Sequence, residues 1–437
     1  MNRIITYFKQ AYALMRQEKL FSAIYILGTG LSIAVVMALS IVVYIKIAPV
    51  YPETNRNRML IMSYGVEKYG ENSTSLGGIS YQFIKDHLKT LKTPEAVSAY
   101  ARHEGSSHYV RTENSLEQTE VQLSLTDEMF WRVFEFRFRE GAPYTAADVQ
   151  SAIPAVVIAR SLARRLFGEE TAVGRYVVMD MRSYRVCGVV DDASWVTQLS
   201  YAQIYAPYST DPDIAAAWGT TGYCGDMQAV ILAPSAGKVD EVRREIREHF
   251  RQYSAEQAEL TGATPDLVGQ PDKHWESTLR NSNMYPTNYT KIILTYCLVF
   301  FVLLLVPAIS LSGMADSRME RRLAEMGVRR AFGAPAPLLM RQVLIENLFF
   351  TLLGGVVGLL ISWILVSTGS NWLMSLGSMG IGLPPESTEQ ILTPAMLFNL
   401  PVFGIALVVC ILLNLLSAFI PAWRASRHQI VDSLNLK

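Results

Sequence analysis

Long apolar stretches without charged side chains dominate the hydrophobic pattern of this chain, and four of them exceed 20 residues. A helix needs about 20 apolar residues to cross the hydrocarbon core of a bilayer. The third of these stretches begins near Asn347, directly after a short segment that contains polar residues. The pattern therefore predicts four transmembrane helices, at residues 20–45, 292–315, 342–367 and 397–422.

The basic residues between these helices predict their orientation. Lys and Arg concentrate in residues 1–19, 316–341 and 423–437, whereas residues 368–396 contain neither. Short loops rich in Lys and Arg stay on the cytoplasmic side of a membrane. Both termini and the 316–341 loop are therefore predicted to be cytoplasmic, and residues 46–291 and 368–396 to lie outside.

The segment before the first membrane helix has two interpretations. Residues 1–19 place Ile4, Phe8 and Tyr12 on one helical face, with basic residues largely elsewhere. This pattern is typical of an amphipathic helix in the membrane interface, but a simple extension of the membrane helix fits it as well. The apolar run that follows is longer than a signal-peptide core, which has about 7–15 residues. Its length therefore favours a retained membrane helix over a cleaved signal peptide.

The long segment between the first two membrane helices is predicted to be a mixed α+β domain. Alternating or short apolar runs indicate strands, and apolar residues at helical spacing followed by glycine indicate a helix. Residues 253–285 are polar and irregular, and no element is predicted there. The predicted strands are 121–125, 155–158, 176–179 and 184–190, and the predicted helices are 161–168 and 238–252.

Composition and motifs exclude several function classes. The chain is 50% hydrophobic and carries no net charge, so nothing marks it as a nucleic-acid binder. It has no Walker-type phosphate loop, no G-x-S-x-G and no C-x-x-C, and we predict no catalytic residue and no metal site. His103 and His108 are five positions apart and would not share a helix face. Cys187 and Cys224 are either a disulfide of the external domain or two buried thiols.

The cytoplasmic loop at 316–341 carries the most informative short pattern. An apolar stripe at helical spacing precedes two glycines, Gly327 and Gly333, and the basic pair Arg329 and Arg330 lies between them. Such a short basic helix beneath the membrane either contacts lipid or docks on a cytosolic partner.

Five segments of the chain resemble MacB/FtsX-type ABC transporter permeases. Residues 325–334 read E-M-G-V-R-R-A-F-G-A, residues 342–347 and 353–358 supply Q-x-x-x-E and G-G-x-x-G, and the tail 421–427 reads P-A-W-R-A-S-R. Residues 140–190 are similar to the family's periplasmic core domain. The tail departs from the family in having Ile430 and Asn435 where a proline and a final arginine are frequent.

This resemblance implies a permease in a bacterial inner membrane, with the external domain in the periplasm. In such complexes two permease chains form a homo- or heterodimer, and separate ATPase subunits bind ATP and Mg²⁺ and grip a coupling helix. This chain would bind no cofactor itself, since it has none of MacB's N-terminal ATPase domain; a periplasmic adaptor is a further possible partner. The coupling residues carried over from the resemblance are Glu325, Gly327, Val328, Arg329, Arg330, Gly333 and Ala334.

Two features of the third membrane helix concern packing. Gly354, Gly355 and Gly358 permit close helix contact, either within one chain, which we favour, or across the dimer. Glu346 lies at the cytoplasmic edge, where an acidic group needs a partner such as Arg341 or access to the interface.

Four functions are compatible with these features of the sequence. They are efflux, FtsX-like mechanical signalling to cell-wall enzymes, extraction of lipoproteins, and a membrane sensor with no ATPase. The coupling-like loop argues against the sensor, and the likeness of the external segment to MacB favours efflux.

Overall fold

The computed structural model describes residues 12–302 and 332–368 with short gaps, together with residue 305 and scattered positions between 403 and 419. The described chain divides into two compact units, a membrane-helix unit and an α+β unit. Among the described residues, the membrane-helix unit comprises those before residue 45 and after residue 289, and the α+β unit comprises Ile45–Tyr289. The gaps are residues 14, 18, 71–72, 103–107, 213, 215–221, 300 and 334.

The helices of the described chain range from single turns to long apolar rods. Short 3₁₀ turns lie at Arg56–Arg58, Tyr208–Thr210 and Ala236–Lys238. The helices are α1 (Lys19–Ile47), α2 (Tyr81–Phe83, continued by a π-helical turn at Ile84–Leu88), α3 (Phe130–Val133), α4 (Ala146–Gln150), α5 (Arg160–Phe167), α6 (Val239–Thr261), α7 (His274–Leu279), α8 (Tyr289–Val299) and α9 (Ala336–Thr368).

All strands of the described chain belong to the α+β unit. They are β1 (Met59–Met62), β2 (Gly65–Tyr69), β3 (Ser73–Ile79), β4 (Ala96–Ala101), β5 (His108–Thr112), β6 (Thr119–Val121), β7 (Leu123–Thr126), β8 (Phe138–Gly141), β9 (Ala155–Ala159), β10 (Tyr176–Met179), β11 (Arg182–Val190), β12 (Ile204–Pro207), β13 (Cys224–Gly225), β14 (Gln228–Leu232), β15 (Ala263–Asp266) and β16 (Asp272–Lys273).

Within the residues that the structure describes, two helices of the membrane-helix unit are long and apolar enough to cross a bilayer. These spans are Ser22–Ile47 in α1 and Met340–Thr368 in α9. α8 is apolar but shorter, and it covers the beginning of the predicted second span at 292–315. In that span the structure describes residues 292–299, 301, 302 and 305, and these are helical. Thr368, the first residue of the predicted loop at 368–396, is the last residue of α9, whereas the rest of that loop and most of the predicted fourth helix at 397–422 lie outside the described residues.

The third predicted helix begins earlier than its apolar run suggested. α9 starts at Ala336, so residues 336–341 of the predicted coupling loop are helical. Pro337 lies in the first turn, where proline removes no helical hydrogen bond. Polar residues such as Arg341 and Gln342 end the apolar run but do not end the helix.

A large mixed sheet forms the centre of the α+β unit. Its strand order is β16-β1-β14-β4-β7-β12-β9-β11-β10-β5-β6, with β8 also paired to β11. Most pairs are antiparallel, but β9 runs parallel to β11 and β7 runs parallel to β12. A second, four-stranded sheet has the order β13-β3-β2-β15. The prediction of a mixed α+β domain is confirmed.

Strands such as β1 and β9 of the large sheet are buried on both faces. Met59 and Ile61 of β1 pack with the aromatic residues of α3, whereas Leu60 and Met62 face the cluster that includes α6. Successive side chains of a strand point to opposite faces, so a strand covered on both sides reads as a continuous apolar run. This is why β1 and β9 have no polar alternation.

The long helix α6 covers one face of the sheet through a single apolar stripe. Val239, Val242, Ile246, Phe250 and Tyr253 are its buried residues, at a spacing of three or four positions. The helix ends at Gly262, which adopts φ +71° in the left-handed region that favours glycine. The prediction of a helix here is confirmed, and the helix extends beyond residue 252 into the segment where no element was predicted.

Candidate functional site

The segment predicted to couple the chain to an ATPase is described only in part. Gly333 has φ +88°, a left-handed conformation that leads the backbone into Pro335 and α9. The remaining predicted coupling residues, Glu325, Gly327, Val328, Arg329, Arg330 and Ala334, lie outside the described residues.

Small residues bring α1 and α9 into close contact within one chain. A Cβ atom at Gly358 would lie 2.7 Å from the carbonyl oxygen of Gly30 and 3.0 Å from Cβ of Ile33. One at Gly354 would lie 2.9 Å from Cβ of Thr29. Only glycine at these two positions of α9 permits this separation of the backbones.

The other glycine of the motif, Gly355, faces a different neighbour. A Cβ atom there would lie 2.6 Å from a terminal methyl group of Leu407, in the region of the predicted fourth helix. Next to the glycine contacts, the rings of Tyr25 and Phe350 lie 5.7 Å apart and extend the interface between α1 and α9. The three predicted packing glycines thus serve two separate contacts.

Glu346 is buried in the membrane-helix unit, with 2% of its surface exposed. Nε2 of Gln342, one turn earlier, donates a hydrogen bond of 3.1 Å to Oε1 of Glu346. Asn347 and Thr351 are buried on the same part of α9, and the Thr351 hydroxyl donates to the Asn347 carbonyl. The N-terminal half of α9 therefore has a polar face that is covered by protein, as intramembrane polar groups require.

A buried arginine holds the last turn of α1, which belongs to the α+β unit. Nη1 of Arg56 donates to the carbonyl oxygens of Ile45 at 2.7 Å and Ala48 at 2.8 Å. The last carbonyls of a helix have no partner within the helix and carry partial negative charge. The guanidinium satisfies these carbonyls and neutralises that charge.

Glu53 is the counter-ion of Arg56 and has two further partners. Its Oε2 accepts from Nε of Arg56 at 2.7 Å, and its Oε1 accepts from the backbone N–H and the hydroxyl of Ser200 at 3.0 and 2.9 Å. Nε2 of His274 lies 3.4 Å from Oε2. We call Glu53, Arg56, Ser200 and His274 the first anchor.

Electrostatics fix the charge state of the first anchor. Burial by itself would raise the pKa of Glu53, but the Arg56 guanidinium, together with His274, outweighs it and lowers the pKa from 4.5 to about 2. Burial lowers the pKa of His274, against the opposing effect of Glu53, so the imidazole is neutral at pH 7. The Glu53 carboxylate therefore stays ionised and paired with Arg56 at neutral pH.

A second buried ion pair holds the start of α8. Arg280 forms a bidentate pair with Asp272, at 2.6 and 2.9 Å, and both side chains are at most 4% exposed. The Tyr289 hydroxyl donates to Oδ1 of the same Asp272 at 2.9 Å, while the Tyr289 ring contacts Trp275. We call Asp272, Arg280 and Tyr289 the second anchor.

The two anchors are joined through the edge of the large sheet. Asp272 lies opposite Ile61 in the antiparallel β1–β16 pair, and β1 directly follows the 3₁₀ turn that contains Arg56. α7 follows β16 and carries His274 of the first anchor. Arg243 of α6 pairs with Glu276 of α7, which fixes this edge to the long helix.

The sequence contained little that would reveal these anchors. Glu53 and Arg56 have the i, i+3 spacing of a local pair, which is visible in sequence but common on protein surfaces. Their other partners, Ser200 and His274, are distant along the chain and come together only in the fold.

The two thiols of the α+β unit are free rather than bonded to each other. Cys187 lies on β11 of the large sheet, and Cys224 lies on β13 of the small one. Burial raises the pKa of each thiol to about 11. Of the two alternatives left open by the sequence, the structure has the unbonded thiols.

Comparison with family models decides the affiliation of the chain. A model described as the MacB-like periplasmic core domain matches residues 22–249, and one described as the FtsX-like permease C-terminal domain matches residues 297–430. The chain belongs to the MacB/FtsX family of permeases. Members of this family are inner-membrane proteins with a periplasmic domain, and residues 45–249 of the α+β unit lie within the match to the periplasmic core domain.

Curated relatives agree with this affiliation. The macrolide export ATP-binding/permease protein MacB 1 of Yersinia pestis is 26% identical over 356 residues, which cover 80% of this chain and 48% of the relative. The pyoverdine export ATP-binding/permease protein PvdT of Pseudomonas syringae is 25% identical over 313 residues, covering 70% and 42%. The chain thus spans about half the length of the curated relatives it matches.

Two solved structures with detectable similarity are external domains of transporters. The extracellular domain of the transporter YknZ from Gram-positive bacteria is 18% identical, covers 44% of this chain and 95% of that domain, and gives a TM-score of 0.32. The periplasmic region of MacB from Actinobacillus actinomycetemcomitans is 19% identical, covers 47% and 88%, and gives 0.31. The family assignment rests on the family models and not on these scores.

Proposed function

We propose that the chain is the permease subunit of an ABC transporter complex and transmits ATP-driven motion from a separate cytosolic ATPase to the periplasm, for efflux. The observation that carries this proposal is the pair of family matches, of residues 22–249 to a periplasmic core domain and of residues 297–430 to a permease domain. The relatives' names combine export with ATP binding, and this chain matches about half of each such relative.

In this proposal the chain catalyses no reaction itself. ATP and Mg²⁺ are bound by the partner ATPase, which contacts the segment from Glu325 to Ala334. Arg329 and Arg330 face acidic or polar groups of that ATPase, because a guanidinium offers a rigid fork of donors to carboxylates. Two permease chains, identical or different, form the membrane part, and a periplasmic adaptor completes an export route.

The helix contacts support a mechanical role for the membrane part. The backbones of α1 and α9 touch at Gly30, Gly354 and Gly358, so a displacement of α9 is passed directly to α1. Close-packed interiors transmit strain because they have little free volume. α9 begins two residues after the predicted coupling segment, so a force on that segment reaches α9 first.

Efflux is separated from the related functions by the phenotype of a deletion strain. Efflux predicts greater sensitivity to, and intracellular accumulation of, an exported compound, restored by the wild-type gene but not by Arg329→Glu/Arg330→Glu. Chained or filamentous cells with normal drug sensitivity would favour signalling to cell-wall enzymes instead. Retention of lipoproteins in the inner-membrane fraction would favour lipoprotein extraction.

A further inference from the structure

We propose that the two anchors form one junction that passes the movement of the membrane-helix ends into the edge of the large sheet. The transmission part of this inference rests on the proposed function, whereas the anchoring part stands on the structure of the α+β unit alone. Arg56 and Tyr289 are the positioning residues, since each holds one helix end.

The first anchor is built to resist displacement of the end of α1. One guanidinium group makes hydrogen bonds to the carbonyl of Ile45 in the last turn of α1, to the carbonyl of Ala48 just after the helix, and to a carboxylate that is itself held by the backbone of Ser200. Arg56 and Glu53 are 2% and 0% exposed, so water does not compete for these bonds. Removal of Arg56 or Glu53 would leave the charge of the other buried without its counter-ion, which is strongly destabilising.

The second anchor repeats this design at the start of α8. The buried carboxylate of Asp272 is held in two directions, by the fork of Arg280 and by the Tyr289 hydroxyl. Arg280 also donates to the Val268 carbonyl at 3.2 Å, which ties the pair to the loop before β16. The start of α8 is therefore fixed to a strand of the sheet and not to a surface loop.

The position of the anchors determines which part of the large sheet the junction acts on. Both act on the β1–β16 pair, at one edge of the large sheet, and β1 pairs on its other side with β14. His274 lies beside Glu53 of the first anchor, and Asp272 of the second anchor is two residues earlier in sequence. A change in the separation of the two helix ends must therefore strain this edge before any other part of the sheet.

Anchoring is tested by hydrogen–deuterium exchange on the full chain in lipid nanodiscs, without nucleotide. Arg56→Met should accelerate exchange of the amides between residues 41 and 52 by about ten- to a hundredfold, as expected for the loss of hydrogen bonds to a charged group. Tyr289→Phe keeps the ring on Trp275 and should accelerate exchange only near the start of α8. Unchanged protection in both variants would overturn the junction.

Matched controls separate these effects from general destabilisation. Arg139→Met removes a bidentate pair with Asp191, but Arg139 is 55% exposed, so exchange at the helix ends should not change. Tyr285→Phe alters a 68% exposed tyrosine close to Tyr289 and should have no effect. Should Arg56→Met fail to fold, Arg56→Lys keeps the charge, loses the fork and should give a smaller acceleration in the same peptides.

Transmission is tested by the same exchange measurement on the complex purified with its ATPase, with and without ATP and vanadate. We expect a nucleotide-dependent change at β1 and β16 in the wild type that is lost in Arg56→Met while ATP hydrolysis persists. A change that persists in Arg56→Met would overturn the transmission role. No change in the wild type would instead contradict the proposed function, and the nucleotide-free experiment would still decide the anchoring.

Discussion

Substitution of the packing glycines by alanine should destabilise the membrane-helix unit in a fixed order. A Cβ at position 358 lies 2.7 Å from the Gly30 carbonyl oxygen, about 0.7 Å short of the 3.4 Å at which ordinary contact begins. Because this oxygen belongs to the backbone of α1, the two helices must separate. Overpacking of this kind costs about 1–3 kcal/mol, so Gly358→Ala should have the largest effect.

The neighbouring positions should have graded effects. At Gly354 the contact is Cβ of Thr29 at 2.9 Å, an atom fixed to the backbone, so a loss near the lower end of that range is expected. At Gly355 the contact is the terminal methyl group of Leu407, which a change of rotamer can move, so the loss should be small. Gly28→Ala is the control, because nothing lies within 4 Å of a Cβ there, and alanine favours the helix by up to about 1 kcal/mol.

The assay is thermal unfolding of the full chain in detergent, followed by size-exclusion chromatography of the heated samples. The expected order of melting temperature is Gly28→Ala highest, then Gly355→Ala, Gly354→Ala and Gly358→Ala. Equal melting of Gly358→Ala and Gly28→Ala would refute the contact between α1 and α9. Loss of a dimer without a change in melting would place the glycines between chains.

Two further predictions concern the α+β unit. Acidification should lower its melting temperature in two stages. In the first stage, stability decreases as the pH falls below 6.5, because the folded state resists protonation of His274. In the second stage, Glu53 loses its charge-dependent stabilisation by Arg56 as the pH falls from 4.5 towards 2. His274→Gln should weaken the first stage, and an unaltered pH profile of the melting temperature in that variant would contradict this assignment. Cys187 and Cys224 should resist maleimide at pH 7 in the folded chain and both react after denaturation without reductant, whereas a bonded pair would stay unreactive.

The sequence predicted those elements whose periodicity is local and complete. The run 155–158 and the helix that follows it are present as β9 and α5, and Gly168 closes that helix with φ +69°. Burial of every residue defines the apolar run of β9, whereas helical spacing and the glycine that follows define α5. The apolar length of α1 and α9 likewise made these helices visible without knowledge of their neighbours.

Other elements could not be predicted because their cause lies elsewhere in the fold. The predicted strand 121–125 is divided at Gln122 into β6 and β7, which pair with different strands. An alternating pattern does not show a change of partner. β15 contains Pro265 and is an edge strand, where proline is tolerated, although proline in a sequence argues against a strand.

The candidate site was predictable to a similar degree. Glycines at a spacing of four in an apolar helix indicate close packing, but the sequence cannot show that Gly355 faces a different neighbour from Gly354 and Gly358. The first anchor combines residues more than a hundred positions apart, such as Glu53 and Ser200. Only the long-range strand pairing brings such residues together.

The proposal that a separate ATPase drives this permease is tested most directly by affinity purification of the tagged full chain in mild detergent. Wild type and Arg329→Glu/Arg330→Glu are compared by mass spectrometry, with equal melting of the two proteins as the control for folding. We expect an ATP-binding subunit to copurify with the wild type and to be lost from the variant. If no ATP-binding subunit copurifies with the wild type in any detergent or nucleotide state, the account of this chain as an ATPase-driven permease is contradicted.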